Sequence, residues 1–347
     1  MMVKHSAFFL ELLANADRLF DLLNQFETVN VLVIGDLTLD EFLTGQVERI
    51  SREAPVLILR HEFTRQIPGG GANAVYNLAK LGAKVKVAGM IGSDAQGNAL
   101  KQIFTDAGII THGIIIDDDR PTVTKTRIAG HARQSVTQQI VRVDRKSDDL
   151  PTTELQSKLA DYIQQQINTV DAVVCSDYGD GVFTQTVIQS ALKHPQVIVD
   201  TQKDLFRFAG ATLFTPNLPE AEQAVGYSIK DETTLQQAGK DLLKLTQAKQ
   251  MLITRGEQGM SLFQMVGDNV ESWHIPAFNR TDVYDVTGAG DTVVAALTLA
   301  LCCGGTFWEA AVLGNLAASL VIRQFGTATT SVSEIKTTLK LLLEDGV

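Results

Sequence analysis

The sequence predicts an α/β fold with a doubly wound, mostly parallel sheet, helices on both faces of that sheet, and a small β-sheet lid. Short, continuous apolar runs alternate with amphipathic segments along most of the chain, as in parallel sheets that helices cover on both faces. Several of these runs end in a polar residue or a glycine, at the position where open α/β sheets bind ligands. Two other segments alternate polar and apolar residues, which predicts a separate antiparallel sheet.

The composition is that of a globular protein without nucleic-acid or membrane partners. The chain has 347 residues, of which 45% are hydrophobic and 20% are charged, and its formal net charge is -10. This negative charge argues against binding to nucleic acid or to an anionic membrane surface. Cys175, Cys302 and Cys303 make no disulfide framework and indicate a reducing compartment. We expect a cytoplasmic protein, because no segment has the pattern of a signal peptide or a membrane span.

The two ends of the chain are predicted to be helical. Residues 1–28 form an N-terminal amphipathic extension, and its apolar residues recur at helical spacing: Phe9, Leu12, Leu13, Phe20 and Leu23. A C-terminal helix is expected over 331–347. The main domain is therefore placed at 29–330.

Within the main domain, strands and helices alternate. The predicted strands cover 31–36, 85–92, 171–179, 196–202, 212–217 and 251–256. The predicted helices cover 72–82, 98–108, 155–168, 186–194 and 234–246, and a further long helix lies within 307–326. The carboxyl ends of these strands are expected to meet at one edge of the sheet and to form the ligand site.

The predicted lid consists of two segments, 45–63 and 122–146, which alternate polar and apolar residues. The second is basic, with positive residues in or beside it at Arg120, Lys125, Arg127, Arg133, Arg142, Arg145 and Lys146. In an acidic chain, such a patch suits a phosphorylated ligand, and a solvated lid face is an equal alternative. Exposed strand edges favour association, so we expect a homodimer through the lid strands.

The strongest chemical signal is the stretch "DVYDVTGAGDTVVAAL" at 282–297, which places Gly288, Ala289, Gly290 and Asp291 at the mouth of an apolar helix. Successive backbone N–H groups of such a loop can bind a phosphoryl oxygen, helped by the helix dipole. Asp291 can take the proton of a substrate hydroxyl as its oxygen attacks phosphorus. The alternative is a glycine-rich loop in which Asp291 only caps the helix.

A second glycine cluster opens the helix at 72–82, with Gly70, Gly71 and Asn73. Its spacing formally fits a dinucleotide fingerprint, which we reject because a polar stretch with Pro68, and no buried strand, precedes it. Bare glycines let a sugar lie on the backbone, and Asn73 can hydrogen-bond sugar hydroxyls.

Asp36 follows the first strand, and Asp40 lies four residues later. These carboxylates suit sugar hydroxyls. A glycosidase pair and a Mg²⁺ site are the alternatives, and a glycosidase would leave the Gly-Ala-Gly-Asp stretch unexplained.

Two further strand ends are candidates for the nucleotide. Asn217 and Glu220 can order Mg²⁺ and its water around phosphates, or they can form a capping box at a helix start. After the last predicted strand, a hydroxyl and a glycine turn suit phosphates and ribose, at Thr254, Arg255, Gly256 and Gly259.

Together these motifs resemble the ribokinase-like (PfkB) family of sugar kinases over about residues 29 to 330. The resemblance rests on the Gly-Asp strand end, Gly-Gly-x-Ala-Asn, Asn-x-x-Glu, Thr-Arg-Gly-x-x-Gly and Asp-x-Thr-Gly-Ala-Gly-Asp, in that order. It implies an ATP- and Mg²⁺-dependent kinase with Asp291 as catalytic base and Gly288, Ala289 and Gly290 as an anion hole. It also implies a Mg²⁺-phosphate motif at Asn217 and Glu220.

The resemblance assigns the remaining site residues as well. Asp36, Gly70, Gly71 and Asn73 fall on the sugar site, while Asn315 and the residues 326–328 fall on the far side of the nucleotide pocket. A monovalent cation, potassium, is implied beside the loop of Asp285.

Within the family, the stretches "SDYGDGV" and "QQIVRVDR" are most similar to kinases that phosphorylate a heptose 7-phosphate at its anomeric hydroxyl. The basic lid residues Lys125, Arg127, Arg133 and Arg142 are then expected to hold the 7-phosphate. The chain departs from that subgroup at Asp180, where a Lys is expected, and at 200–203, where "DTQK" replaces Asp-Pro-Lys. The alternatives are a kinase of the same family for another sugar or a nucleoside, and a catalytically idle nucleotide-binding regulator.

Overall fold

A computed structural model describes residues 7–132, 136–278, 283, 285–324 and 326–345. Arg133, one of the basic residues expected in the lid, lies outside these ranges. No helix in the described ranges is both long and apolar enough to cross a membrane.

The main sheet has nine strands among the described residues, in the order β13-β12-β11-β10-β9-β8-β1-β4-β5. The strands are β1 (Asn30–Gly35), β4 (Lys84–Gly92), β5 (Ile110–Asp117), β8 (Ala172–Asp177), β9 (Val197–Thr201), β10 (Leu213–Phe214), β11 (Gln250–Thr254), β12 (Met260–Val266) and β13 (Asn269–Ile275). All neighbours from β5 to β11 pair in parallel, whereas β12 and β13 are antiparallel. The predicted sheet is therefore confirmed, and the sequence analysis missed β5, β12 and β13.

Helices cover both faces of this sheet. They are α1 (Ala7–Ala14), α2 (Ala16–Gln25), α3 (Gly71–Lys80), α4 (Ala95–Asp106), α5 (Thr153–Gln166), α6 (Gln185–Ala191), α7 (Leu218–Val225), α8 (Glu232–Thr246), α9 (Ala289–Cys302), α10 (Phe307–Val321) and α11 (Val332–Asp345). Alternate residues of β1 enter different cores, since Val31 and Val33 pack with α3, α9 and α10 while Leu32 and Ile34 pack with α5, α6 and α8. The continuous apolar runs are thus explained by burial on both faces.

The N-terminal segment is two helices instead of the single predicted helix. The break falls at Asn15, whose side-chain amide donates to the Glu11 carbonyl. Phe9 and Leu12 are buried in the same core as α9 and α10, whereas Leu13 is 43% exposed. Because its apolar face joins the main core, the segment packs as part of the main domain.

The lid is a four-stranded sheet in the order β3-β2-β6-β7. Its strands are β2 (Leu37–Ile50), β3 (Leu57–Gly70), β6 (Val123–His131) and β7 (Gln138–Arg145). The lid begins directly after β1, so the predicted segment 45–63 covers only the outer part of the β2–β3 hairpin. The strand β3 also runs into the second glycine cluster, but half of its residues are exposed and few are buried, unlike the strand of a dinucleotide site.

One pairing in the lid differs from the prediction. The two hairpins join through β2 and β6, which are parallel, with Asp40 beside Lys125 and Phe42 beside Arg127. Neighbouring residues in a sheet project to the same face, so these four side chains share one face of the lid. That face begins at the carboxyl end of β1, where the candidate site lies.

Candidate active site

Two glycines at the start of α9, Gly288 and Gly290, have different structural explanations. Gly288 has a φ of 78°, and a Cβ there would lie 2.5 Å from Asn73 Nδ2. Gly290 has neither constraint, because a Cβ there would meet no heavy atom within 4 Å. Glycine in a helix costs up to about 1 kcal/mol relative to alanine, so packing of the chain does not explain Gly290. A ligand that approaches the backbone would explain it.

Asp291 lies in the first turn of α9 and is 3% exposed. Asn73 Nδ2 donates to its Oδ2 at 2.8 Å, and the Tyr178 hydroxyl donates to both carboxylate oxygens at 3.2 and 3.3 Å. Burial raises the pKa of Asp291 to about 7, although these hydrogen bonds act in the opposite direction. A carboxylate with this pKa can accept a proton near neutral pH and release it again.

A hydrogen-bond network fixes α9 against α3 around this carboxylate. Asn77 donates to the side-chain oxygen of Asn73 at 3.0 Å, and Thr292 donates to the side-chain oxygen of Asn77 at 2.9 Å. The network orients the Asn73 amide toward Asp291. The second glycine cluster and the Gly-Ala-Gly-Asp stretch are therefore two sides of one site.

Tyr178 is a site residue that sequence reasoning missed. It follows β8, and its ring lies under Lys125 Nζ at 5.6 Å from the ring centroid. Burial and the neighbouring Asp291 raise the pKa of Tyr178 well above its usual value, so it donates as a neutral hydroxyl. The only sequence signal was its position at a strand's carboxyl end, within "SDYGDG".

The Asp36 carboxylate is already hydrogen-bonded to backbone groups of the protein. Its carboxylate accepts backbone N–H groups of Tyr178, Asp180 and Val182 at 2.8 to 3.1 Å. Burial and the Asp177 charge raise the pKa of Asp36 to about 7. Asp36 is 1% exposed and holds the loop at 178–182 through these hydrogen bonds. Its contact with sugar hydroxyls stays a prediction.

Asp40 and Arg127 lie together at the base of the lid. Their Oδ1 and Nη1 atoms are 2.8 Å apart, and the Arg127 guanidinium also covers the Phe42 ring at 5.2 Å. A Cβ at Gly69 would lie 2.6 Å from the Asp40 carboxyl carbon, so this carboxylate packs directly on the β3 backbone. Arg127 is thus already paired.

Gly70 and Gly71 are explained by close approach of the chain. Gly70 has a φ of 52°, and a Cβ at Gly71 would lie 2.9 Å from the Asp36 backbone nitrogen. The Gly71 N–H donates to the Asp36 carbonyl at 3.0 Å. The cluster allows β3, α3 and the end of β1 to meet, and its contact with a sugar stays a prediction.

Arg142 is not brought to the site with the other basic residues. It makes two contacts with Asp144, at 2.8 and 2.9 Å, and its side chain is 49% exposed. It lies on β7, an edge strand that is exposed along its whole length.

Two further carboxylates come from the end of β9 and the first turn of α7, at Asp200 and Glu220. Burial raises the pKa of Asp200, and the charges of Asp291 and Glu220 raise it further. Asn217 and Glu220 form a full capping box at α7, so the capping alternative is realised. Asp200, at the end of β9, was missed because its neighbours come from distant parts of the chain.

This donor set fits a magnesium ion that is held in part by other ligands. No three His, Cys, Asp or Glu side chains in the described part of the chain converge into a metal cluster. Mg²⁺ commonly takes one or two carboxylates together with water and substrate phosphates. Asp200 and Glu220 would hold it in that manner, and the cation would relieve the repulsion between these carboxylates and Asp291.

The turn after β11 lies on the same edge. Thr254 forms an isolated bridge with Asn217, which joins two of the predicted nucleotide residues. Arg255 donates to Ser261 and Gln258 and lines an open cleft with His274. Gly256 and Gly259 have φ values of 55° and 84°.

Two other predicted residues hold the backbone. Asn315 donates to the Pro276 carbonyl at 2.8 Å. Asp285 accepts from the Thr287 N–H and hydroxyl and from the Gly326 N–H. Partial burial acts against ionisation, yet these hydrogen bonds hold the pKa of Asp285 below its usual value. A carboxylate with a lowered pKa suits a cation, and both of its oxygens already accept hydrogen bonds in this loop.

The Ala289 N–H at the start of α9 already donates to the Val286 carbonyl, whereas the Gly290 backbone is unobstructed. A buried carboxylate beside such a helix start, at the carboxyl edge of a doubly wound sheet, suits phosphoryl transfer. Solved structures show the same fold. Phosphofructokinase-2 from Escherichia coli in complex with potassium has a TM-score of 0.71 and 19% identity, with 90% of this chain and 99% of that chain covered. Ribokinase from Arabidopsis thaliana, complexed with ribose and ATP, has a TM-score of 0.67 and 19% identity over 91% and 99%. The fold is ribokinase-like.

The model of the pfkB family of carbohydrate kinases matches residues 29–334. The chain belongs to this family and is a phosphotransferase that acts on a sugar. Curated relatives include the bifunctional protein HldE of Geobacter metallireducens, 42% identical over 315 residues, or 88% of this chain and 62% of the relative. Its namesake in Desulfatibacillum aliphaticivorans is 40% identical over 321 residues, or 91% and 64%. The chain spans less than two thirds of the length of these relatives.

Proposed function

We propose that this kinase transfers the γ-phosphate of ATP to the anomeric hydroxyl of a heptose 7-phosphate. The observation that carries the phosphoryl transfer is Asp291, a buried carboxylate with a pKa of about 7 beside the unobstructed backbone of Gly290. The identity of 40 to 42% with proteins named HldE, together with the basic residues at the lid base, supports the choice of sugar.

In this proposal, Asp291 accepts the proton of the attacking hydroxyl while Asn73 and Tyr178 hold its carboxylate in place. The Gly290 N–H at the start of α9 donates to the transferring phosphoryl group, whereas the Ala289 N–H already donates to the Val286 carbonyl. Magnesium supplies charge neutralisation of the ATP phosphates, and Asp200 and Glu220 are the residues that would hold it. The lid excludes water, which would otherwise compete as the acceptor.

A potassium ion beside the Asp285 loop also belongs to the proposal. It is supported by the ionised state of Asp285 and by the potassium complex of the phosphofructokinase-2 neighbour.

The test is a substrate panel with Mg-ATP. We expect ADP release with heptose 7-phosphate at a kcat/KM at least about a hundredfold above that for ribose or adenosine, because these acceptors lack the phosphate and losing a well-placed charged contact costs a few kcal/mol. Its kcat/KM should also exceed that for fructose phosphates, which carry a phosphate on a different sugar. The product's NMR spectrum should show phosphate on the anomeric carbon. Faster turnover of another sugar would refute the choice of acceptor. Tight ATP binding without ATP consumption on any sugar would favour the idle regulator.

A homodimer through the lid strands is the proposed assembly. Phe63 on β3 and Val141 and Val143 on β7 are 54%, 46% and 52% exposed. Apolar residues on exposed strands favour pairing with a second copy.

We expect light scattering to give the mass of a dimer for the parent protein and of a monomer for a variant with Val141→Lys and Val143→Lys, because charged side chains oppose burial in an interface. Val266→Lys, at a similarly exposed valine of the main sheet, is the control and should remain dimeric. A monomeric parent protein at working concentration would contradict the proposed assembly.

A further inference from the structure

Asp180 lies on the loop after β8 and faces a cluster of four basic side chains from separate segments. Arg120 donates from Nη2 to the Asp180 carbonyl at 2.7 Å. Lys146 Nζ lies 3.9 Å from Asp180 Oδ1, and also 3.3 Å from the exposed Asp148. Lys125 and Lys203 complete the cluster, since the positive charges of all four residues act on the Asp180 carboxyl.

Two contacts place this cluster beside the catalytic carboxylate. The Lys203 side chain lies across the bare backbone of Gly179, where a Cβ would be 2.0 Å from Lys203 Cε. Lys125 covers the Tyr178 ring, whose hydroxyl donates to Asp291. The Tyr178 ring therefore lies between Lys125 of the cluster and the Asp291 carboxylate.

The charges of this cluster are not balanced. Four cations face Asp180, and two other carboxylates act on members of the cluster: Asp148 lies beside Lys146, and Asp291 interacts with Lys125. The four cations therefore outnumber these three carboxylates, within a chain whose net charge is -10. The other predicted basic lid residues are balanced, because Arg127 is paired with Asp40 and Arg142 with Asp144. A phosphate monoester carries up to two negative charges at neutral pH and matches the local excess.

We propose that the phosphate group already present on the sugar acceptor binds in this cluster and that the Asp180 carboxylate gives way to it. The residues that bind it are Arg120, Lys125, Lys146 and Lys203. This inference rests on the proposed function, which supplies a phosphorylated acceptor. These four residues replace the phosphate-binding residues expected from the sequence, and Lys125 is the one residue common to both sets. The acceptor then lies along the Tyr178 loop, with its free hydroxyl at Asp291 and its phosphate at Asp180.

The experiment measures KM and kcat of Lys203→Met and of Lys146→Met with heptose 7-phosphate and with the unphosphorylated heptose. Each variant should raise KM for the phosphorylated sugar about tenfold, since a charge-assisted contact is lost, and leave KM for the unphosphorylated sugar unchanged. Lys158→Met, an exposed lysine paired with Glu154 on α5, is the matched control and should change neither value. Equal changes for both sugars, or no change, would overturn the inference.

Asp180→Asn tests the same cluster in the opposite direction. Without the competing carboxylate, KM for heptose 7-phosphate should fall severalfold, because a like charge next to the bound phosphate is removed. A rise would overturn the inference. So would a larger effect of Arg142→Met than of Lys203→Met, which would place the phosphate on the outer lid.

A measurement without turnover separates this inference from the proposed function. The ³¹P NMR line of inorganic phosphate should broaden when the parent protein is added, because phosphate binds the cluster. The line should broaden much less when Lys203→Met is added instead. Loss of this difference would refute the phosphate subsite even in a protein that phosphorylates heptose 7-phosphate. Failure to phosphorylate that sugar, with the difference retained, would refute only the choice of acceptor.

Discussion

Asp291→Asn is expected to lower kcat about a thousandfold, because a general base contributes roughly 10²- to 10⁴-fold and asparagine keeps the shape without accepting a proton. The variant should be at least as stable as the parent protein at pH 8. The pKa of Asp291 is raised to about 7 by burial, so the folded state binds its proton more tightly than the unfolded chain does. Ionisation therefore lowers stability as pH rises toward 7, and asparagine removes that loss.

The pH profile supplies the control for this variant. The parent kcat/KM should rise with pH through about 7, as Asp291 loses its proton, whereas the residual activity of Asp291→Asn should lack that rise. Asp241→Asn, on α8 and bonded to Tyr227, should behave as the parent protein does. An active Asp291→Asn enzyme with the parent kcat would refute the base assignment.

Gly290→Ala is expected to reduce kcat/KM for ATP about a hundredfold and to raise the free energy of unfolding by up to about 1 kcal/mol. Alanine is the better helix former, and its Cβ would meet no protein atom within 4 Å. The same methyl group would project where the phosphoryl group must approach the α9 amides, and losing one such donor commonly costs 10²- to 10³-fold.

The combination of higher stability and lost activity distinguishes this prediction from damage to the fold. Gly210→Ala is the matched control, since its Cβ would also be unobstructed but its φ is 96°. It should lower stability by about 1 kcal/mol and leave kcat unchanged. If Gly290→Ala kept full activity, the glycine-rich loop would not contact the nucleotide.

Local sequence was sufficient for the parts of the site that lie within one segment. The Gly288–Asp291 run and the position of Asn73 in the first turn of α3 follow from glycine conformation and helix geometry. The sheet was predictable for a similar reason, because strands buried on both faces, such as β1, are continuous apolar runs.

Other features depend on contacts between distant segments. Tyr178 contacts Asp291, and Asp200 interacts with its charge, because β8 and β9 end beside α9. Both residues lie in stretches that the sequence comparison used, but the stretches alone did not mark these two side chains as neighbours of Asp291. The hydrogen bonds of the Asp36 carboxylate could not be predicted from local sequence, because its three N–H donors follow 142 to 146 residues later in the chain. The antiparallel strand β12 and the edge strand β13 both lack a long apolar run, and β13 is exposed along much of its length.

The central claim is that the Asp291 carboxylate receives the proton of the acceptor hydroxyl. The most direct measurement is the distance between these groups in a crystal of the protein with Mg²⁺, a non-hydrolysable ATP analogue and heptose 7-phosphate. We expect an anomeric oxygen within about 3.2 Å of the Asp291 carboxylate, with the γ-phosphorus on the far side of that oxygen and against the Gly290 N–H. An acceptor oxygen held beyond hydrogen-bond reach, with the phosphate tail away from α9, would contradict it.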